Sequence, residues 1–243
     1  MKKRLDLYLL EKYPQYSRRQ IQTWITEGSV TVGGTVKKKA GEKVNTDAAI
    51  VLSAQEPKYV SRAGFKLEKA LEHFNIDVTD LTSIDSGLST GGFTDCLLQH
   101  GVKKVFGIDV GTNQVHKKIN NNPRVIVMEK TNLKTVTVQV LGQQVDFVTL
   151  DLSFISLLKV MDSVSNLLKK SGDLITLIKP QFEVQKQDIR SGGLVIDPKK
   201  HQEVLERVKS GIESCGFECI GIIESPLLGT SGNKEFLGYF RKQ

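Results

Sequence analysis

At 243 residues, with 39% hydrophobic and 25% charged side chains, the chain can bury the core of one large domain or two small ones. It lacks an apolar run near the ~20 residues of a membrane span, a secretory leader, and any Cys or His cluster suited to disulfides or metal, so a cytoplasmic protein with no membrane or metal partner is expected. The net charge of +7 is concentrated: residues 1–58 carry 11 Lys/Arg against 6 Asp/Glu, and the rest 23 against 21, so a basic module suited to a polyanion precedes a nearly neutral one.

Residues 4–12, with Leu5, Leu7, Tyr8, Leu9 and Leu10, read as a short helix. Ser17 is placed as the N-cap of a second helix, with Ile21, Trp24 and Ile25 at helical spacing until Gly28 stops it. Ser29–Val32 and Thr35–Val36 form strands around Gly33-Gly34, and Ala49–Leu52 forms another. Arg18, Arg19 and the run Lys37, Lys38, Lys39 are not needed for this small core. Basic groups on a helix and a hairpin can grip a phosphate backbone without reading bases. A polar linker over 55–60, containing Pro57, separates residues 1–54 from 61–243.

Ser61 is expected to cap a helix to about Phe74, with Ala63, Leu67, Ala70, Leu71 and Phe74 on one face. Lys66 falls one position off that stripe, where periodicity alone makes it a solvated flank. The next stretch organises the rest of the chain. An apolar run ends in Asp85, the glycines Gly87, Gly91 and Gly92 follow, and a helix from Phe93 to His100 starts at once. Strand, glycine turn and helix N-terminus are where an open α/β sheet holds a nucleotide-like ligand.

What the turn lacks narrows that ligand. Phe93-Thr94 replaces the Lys-Ser/Thr of a phosphate loop, and the spacing from Gly87 to Gly92 is not G-x-G-x-x-G. An acidic strand end suits a cationic or hydrogen-bond-donating ligand such as the amino acid part of S-adenosylmethionine. Asp109 ends the next apolar run, Lys104–Asp109, 24 positions on, a spacing at which a carboxylate can meet ribose hydroxyls.

Strands and helices then alternate: a helix at Gln114–Ile119, strands at Val125–Met128 and Val145–Leu150, a helix at Ile155–Lys169, and a strand at Leu174–Ile178. A long loop with Ser191-Gly192-Gly193, a helix at Pro198–Ser214, and strands at Ile220–Glu224 and Phe236–Phe240 complete the pattern. This predicts a mostly parallel, doubly wound sheet with ligands at the strands' carboxyl ends. Asp85, Asp109, Asp151 and Lys179 all fall where a buried strand meets a loop, so all four should crowd one edge.

Arg4-Leu5-Asp6, Ser17-Arg18-Arg19 and Gly28-x-Val30-x-Val32-x-Gly34 resemble the S-four-type RNA-binding domain. Ser61–Leu67, Asp151-Leu152-Ser153-Phe154, Ile178–Glu183 and Asn233–Leu237 resemble the TlyA family, which joins such a domain to an FtsJ-like 2′-O-methyltransferase domain. The resemblance covers essentially the whole chain. It implies a Rossmann-like methyltransferase domain behind a small α+β domain, S-adenosylmethionine as cofactor, and ribosomal RNA in a ribosomal subunit as partner. Oligomeric state is not implied.

By the same resemblance Lys66, Asp151, Lys179 and Glu235 are the catalytic set, with Lys179 as candidate base, Asp151 orienting both lysines, and Glu235 positioning Lys66 or the ribose. Lys66 and the cationic sulfonium would favour the neutral form of Lys179, although sequence leaves open which lysine takes the proton. Asp85, Gly87, Ser89, Thr90, Gly91, Gly92, Phe93, Asp109 and Val110 are expected at the cofactor, and Arg4, Arg18, Arg19, Lys37, Lys38 and Lys39 at the RNA.

Leu88 stands where the family commonly has a small residue, which points to altered packing of the turn. Family members act on cytidine ribose, and the short ends flanking Arg4 and Glu235 resemble the form acting on the large subunit alone. Two other readings stay open. Asp151–Phe154 faintly matches the motif of base amino-methyltransferases without its prolines, and a non-catalytic RNA-binding or membrane-acting protein would fit the name hemolysin that many members carry.

Overall fold

The computed structural model describes residues 1–53, 57–229 and 231–243, in two compact units, Met1–Pro57 and Lys58–Gln243. Gln55 and Glu56 of the expected linker lie outside the described residues.

In the first unit, α1 (Leu5–Lys12) and α2 (Arg18–Glu27) pack on strands β2 (Val30–Val32), β3 (Thr35–Lys37) and β5 (Ile50–Leu52), ordered β3-β2-β5. The Ser17 hydroxyl accepts from the Gln20 amide while the Gln20 side chain accepts from the Ser17 amide, and Gly28 closes α2 at φ 84°. That is a full capping box with a left-handed stop. Leu5, Leu9, Ile21, Trp24, Ile25 and Val30 form the core. A strand pair absent from the expectation, β1 (Lys2–Arg4) with β4 (Lys43–Asn45), closes the unit. Lys2-Lys3-Arg4 is charged throughout and Lys43-Val44-Asn45 holds a single apolar residue, so neither strand shows a hydrophobic alternation to read.

The second unit is a seven-stranded sheet ordered β11-β12-β10-β9-β6-β7-β8. Its strands are β6 (Thr82–Ser86), β7 (Lys104–Ile108), β8 (Val125–Met128), β9 (Val145–Leu150), β10 (Leu168–Ile178), β11 (Phe217–Glu224) and β12 (Phe236–Lys242). β8, β7, β6, β9 and β10 run parallel, and β12 is antiparallel to both of its neighbours. Alternating side chains feed two cores, as the pleat requires. Leu174, Ile178, Val148 and Leu150 face one layer, which holds α7 (Met161–Leu167) and α9 (Pro198–Glu213). Ile175, Leu177 and Phe147 face the other, which holds α3 (Ala63–Phe74) and α4 (Gly92–Gln99).

Three expected helices are corrected. α3 begins at Ala63 with Arg62 as N-cap, not at a Ser61 cap. The helix expected at Gln114–Ile119 shrinks to α5 (Lys117–Asn120), because the His116 side chain caps it by accepting from the Lys118 amide. The helix expected at Ile155–Lys169 breaks into a 3-10 turn at Leu157–Val160 and α7, since Leu168 already pairs with Val145 as strand. Two short helices, α6 (Val138–Leu141) and α8 (Pro180–Glu183), complete the unit.

Candidate active site

Parallel strands deliver their carboxyl ends to one edge, and here β6, β7, β9 and β10 do so with Ser86, Ile108, Leu150 and Ile178. The residues that follow include Gly87, Asp109, Asp151 and Lys179. β12 runs the other way, with Phe236 opposite Ile178, so its preceding residue, Glu235, reaches the same edge from its amino end. Lys66 comes from α3. The amino ends of α3 and α4 can approach closely because Gly92 carries no side chain; a Cβ there would overlap the Ser61 hydroxyl and lie 3.0 Å from Ala63 Cβ.

All four expected catalytic residues line one cavity of about 280 Å³, with Ser61, Arg62, Gly87, Ser89, Thr90, Gly92 and Phe93 around them. They form two ion pairs. Lys66 Nζ lies 2.5 Å from Glu235 Oε2, with both side chains buried. Lys179 Nζ lies 2.7 Å from Asp151 Oδ1 and donates to Ser153 Oγ at 3.0 Å. Asp151, Gly87 and Ser89 also border a larger cavity of about 470 Å³, lined by Asp109, Val110, Gly111, Gln114, Asn132 and Leu133 among others. Lys179 and Glu235 border a third, of about 340 Å³, with Phe154, Gln181, Phe182 and Asn233.

The glycine turn has physical reasons at each step. Gly87 sits at φ 88°, and a Cβ on it would overlap the carbonyl oxygen of Asp151. Positive φ and backbone approach both demand glycine there. Leu88 is 2% exposed and packs on β7, where Gly107 makes room: a Cβ on Gly107 would lie 2.7 Å from Leu88 Cδ2. The larger residue is thus matched by a missing one across the strand.

Of the expected cofactor residues, Gly87, Ser89, Thr90, Gly92, Phe93, Asp109 and Val110 line the two cavities. Asp109 accepts from the amides of Ser89 and Gly111, each at 2.7 Å, which orients its carboxylate and leaves further lone pairs. Asp85 and Gly91 do not line either cavity. Asp85 is 1% exposed, accepting from Thr149 Oγ1 at 2.9 Å and Thr94 Oγ1 at 2.6 Å. Burial pushes its carboxyl up to about 6 against the pull of those two hydroxyls. It braces β6 to β9 and α4 beneath the turn.

Sequence reasoning passed over Phe154. It is 90% exposed, holds φ 65°, and its ring lies 5.1 Å from that of Phe182. A bulky residue in the left-handed region is strained, and such strain gathers at functional sites. The signal in the sequence is an aromatic closing the Asp151–Phe154 motif, directly after a strand end.

In the first unit, Asp6 is fully buried and accepts from Arg4, Arg18 and Gln22. Burial pushes its carboxyl up, but hydrogen bonds from Arg4, Gln22 and Arg18 together override this and hold it well below the usual carboxylate range. Two guanidiniums, each about half exposed at 45% and 51%, are thereby held beside one carboxylate. The turn after the lysine run lies against this group, with the Asp6 amide donating to the Ala40 carbonyl at 3.0 Å. Arg19, Lys38 and Lys39 are exposed, while Lys37 pairs with Glu42.

Residues 59–242 match the model of the FtsJ-like methyltransferase family, and residues 3–50 that of the S4 domain. Hemolysin A of Brachyspira hyodysenteriae is 41% identical over 98% of this chain and 99% of its own. The 16S/23S rRNA (cytidine-2′-O)-methyltransferase TlyA of Mycobacterium tuberculosis is 38% identical over 99% and 90%. The 23S rRNA (cytidine-2′-O)-methyltransferase TlyA of Campylobacter jejuni is 34% identical over 76% and 71%. A solved structure from Streptococcus thermophilus superposes over 100% of this chain and 89% of its own, with TM-score 0.77 at 37% identity.

Proposed function

Because the chain belongs to the FtsJ-like methyltransferase family, in the TlyA branch that carries an S4 domain, we propose that it methylates the 2′-hydroxyl of a cytidine in ribosomal RNA. The observation that carries this reading is the meeting of Lys66, Asp151, Lys179 and Glu235 around one cavity. The 470 Å³ cavity fits the nucleoside part of S-adenosylmethionine, with Asp109 beside it and Gly87 letting the backbone come close. When bound, that cofactor supplies an electrophilic methyl group.

The residues divide the remaining work. Lys66 is held by Glu235 in a buried pair, which places its charge to steady a developing alkoxide. Lys179 is also paired with a carboxylate, but it borders both the 280 and 340 Å³ cavities, and we assign its neutral amine the hydroxyl's proton. Asp151 and Ser153 hold its Nζ in place. The 340 Å³ cavity would take the target nucleotide, with the exposed ring of Phe154 stacking its base. In the first unit Arg4, Arg18, Arg19, Lys37, Lys38 and Lys39 would hold the RNA backbone. A ribosomal substrate would keep the protein in the cytoplasm. The large subunit is favoured, since 23S rRNA stands in the names of both cytidine-methylating relatives and 16S in only one.

Methylation of a base amine is disfavoured because the Asp151 carboxylate, which would have to accept from that amine, is already paired with Lys179. No helix among the described residues is long and apolar enough to cross a membrane.

Transfer of labelled methyl to separated ribosomal subunits, with Lys179→Ala alongside, tests the proposal. We expect label on ribose at one alkali-resistant nucleotide of the large subunit, and a loss of about 10²–10⁴ in rate for the variant. Label on a base, or full activity without Lys179, would overturn it. Label on the small subunit would overturn only the subunit preference.

A further inference from the structure

Asn233 opens the motif that supplies Glu235, yet its own side chain does something different. It is 2% exposed. Its Oδ1 accepts from the Val195 amide at 2.8 Å, and its Nδ2 donates to the Gly193 carbonyl at 2.8 Å. The segment it grips is a loop with little regular structure of its own. Arg190 donates to Leu194 O at 2.9 Å, Gly193 donates to Arg190 O at 3.0 Å, and His201 Nε2 donates to Val195 O at 2.8 Å. Outwardly, Ser191, Gly192 and Gly193 are exposed, and both glycines hold positive φ. Inwardly, Ile189 and Gly193 wall the 340 Å³ cavity bordered by Lys179, Glu235 and Phe154. One backbone group to be satisfied is a donor and the other an acceptor, which suits a carboxamide. A carboxylate cannot donate, and an apolar side chain can do neither.

We propose that Asn233 is a positioning residue that pins the 189–195 loop as a preformed wall of the acceptor cavity, so that the incoming nucleotide meets Lys179 without first ordering the loop. The inference rests on the reading that RNA enters this cavity. Ordering a loop on binding weakens affinity, whereas a preformed wall avoids that cost. The effect should therefore appear in RNA binding and not in the transfer step.

The test uses the full chain with Asn233→Ala and Asn233→Asp, both checked by thermal unfolding. Asn233→Asp keeps the acceptor for Val195 and turns the Gly193 contact repulsive, and it carries the same readouts should the alanine variant fail to fold. We expect the KM for the methylated ribosomal subunit to rise about tenfold, the size of a lost buried hydrogen bond, with kcat and the KM for S-adenosylmethionine within about twofold. Trypsin should also cut faster after Arg190, read as a fragment beginning at Ser191. An unchanged RNA KM with unchanged cleavage at Arg190 would overturn the proposal. So would a parallel change in kcat and both KM values, which marks a general loosening. If the wild-type protein methylates neither subunit, the functional reading fails instead, and cleavage at Arg190 still decides whether Asn233 pins the loop.

Discussion

Glu235 and Lys66 are a pair of buried charges, each the other's ion-pair partner among the described residues. Removing one partner leaves the other unpaired, which typically costs about 3–5 kcal/mol, more than the pair itself contributes. Glu235→Ala should therefore lower unfolding free energy by roughly that amount, and the double variant Lys66→Met/Glu235→Leu should recover most of it. Additive losses in chemical denaturation would contradict the pairing. Asp85 has the opposite character, a carboxyl that burial raises to about 6 from its ordinary value of 3.8. A folded pKa above the unfolded one means its stabilisation is full below about 3.8 and is lost as pH rises through about 6. The difference is roughly 3 kcal/mol at ~1.4 kcal/mol per unit. Unfolding measured between about pH 4 and pH 7 should show a decline in the wild type that Asp85→Asn flattens. Equal slopes would mean that Asp85 titrates as it does when unfolded.

Among the elements, the turn between β6 and α4 leaves little freedom at Gly87, where a positive φ and a close backbone neighbour coincide. Gly87→Ala would drive a Cβ into the Asp151 carbonyl, so the strand end bearing Asp151 must move. Asp151 is paired with Lys179, and under the proposed function a displacement of about 1 Å at such a group can cost 10²-fold in rate. We expect that loss in methyl transfer with an unchanged far-ultraviolet circular dichroism spectrum. Activity near that of the wild type would show that the turn can yield. The same turn shows where pattern reading holds and where it ends. A strand, three glycines and a helix are local features, so they were readable in order. The fit of Leu88 over Gly107 joins two strands and was visible only as a departure from the family habit. The helix expected to run to Lys169 ended at Leu167 because Leu168 takes a parallel partner, Val145, which no local propensity reports.

For the molecule as a whole, the two units carry different physics, a basic surface and a cavity-lined sheet edge. Arg19, Lys38 and Lys39 are exposed and make none of the ion pairs found among the described residues. Reversing all three to glutamate should weaken binding to ribosomal RNA by at least about tenfold near 0.1 M salt, with the gap closing as salt rises. The KM for S-adenosylmethionine should not change. A loss of affinity independent of salt would count against a phosphate-gripping role.

Sequence by itself settled the alternation of strands and helices, the basic amino-terminal module, and the carboxylates at strand ends. Each depends on residues close together in the chain, where polarity and spacing record burial directly. Tertiary structure decided the rest. Lys66 sits one position off its helix's apolar stripe and reads as solvated, yet it is buried because a residue 169 positions away supplies its counter-charge. Glu235 joins the site only because β12 runs against its neighbours. Asp85, which looks like a ligand residue in one dimension, is turned beneath the turn by the hydroxyls of Thr94 and Thr149. A charged side chain's environment is set by what packs over it, and that information is spread along the whole chain.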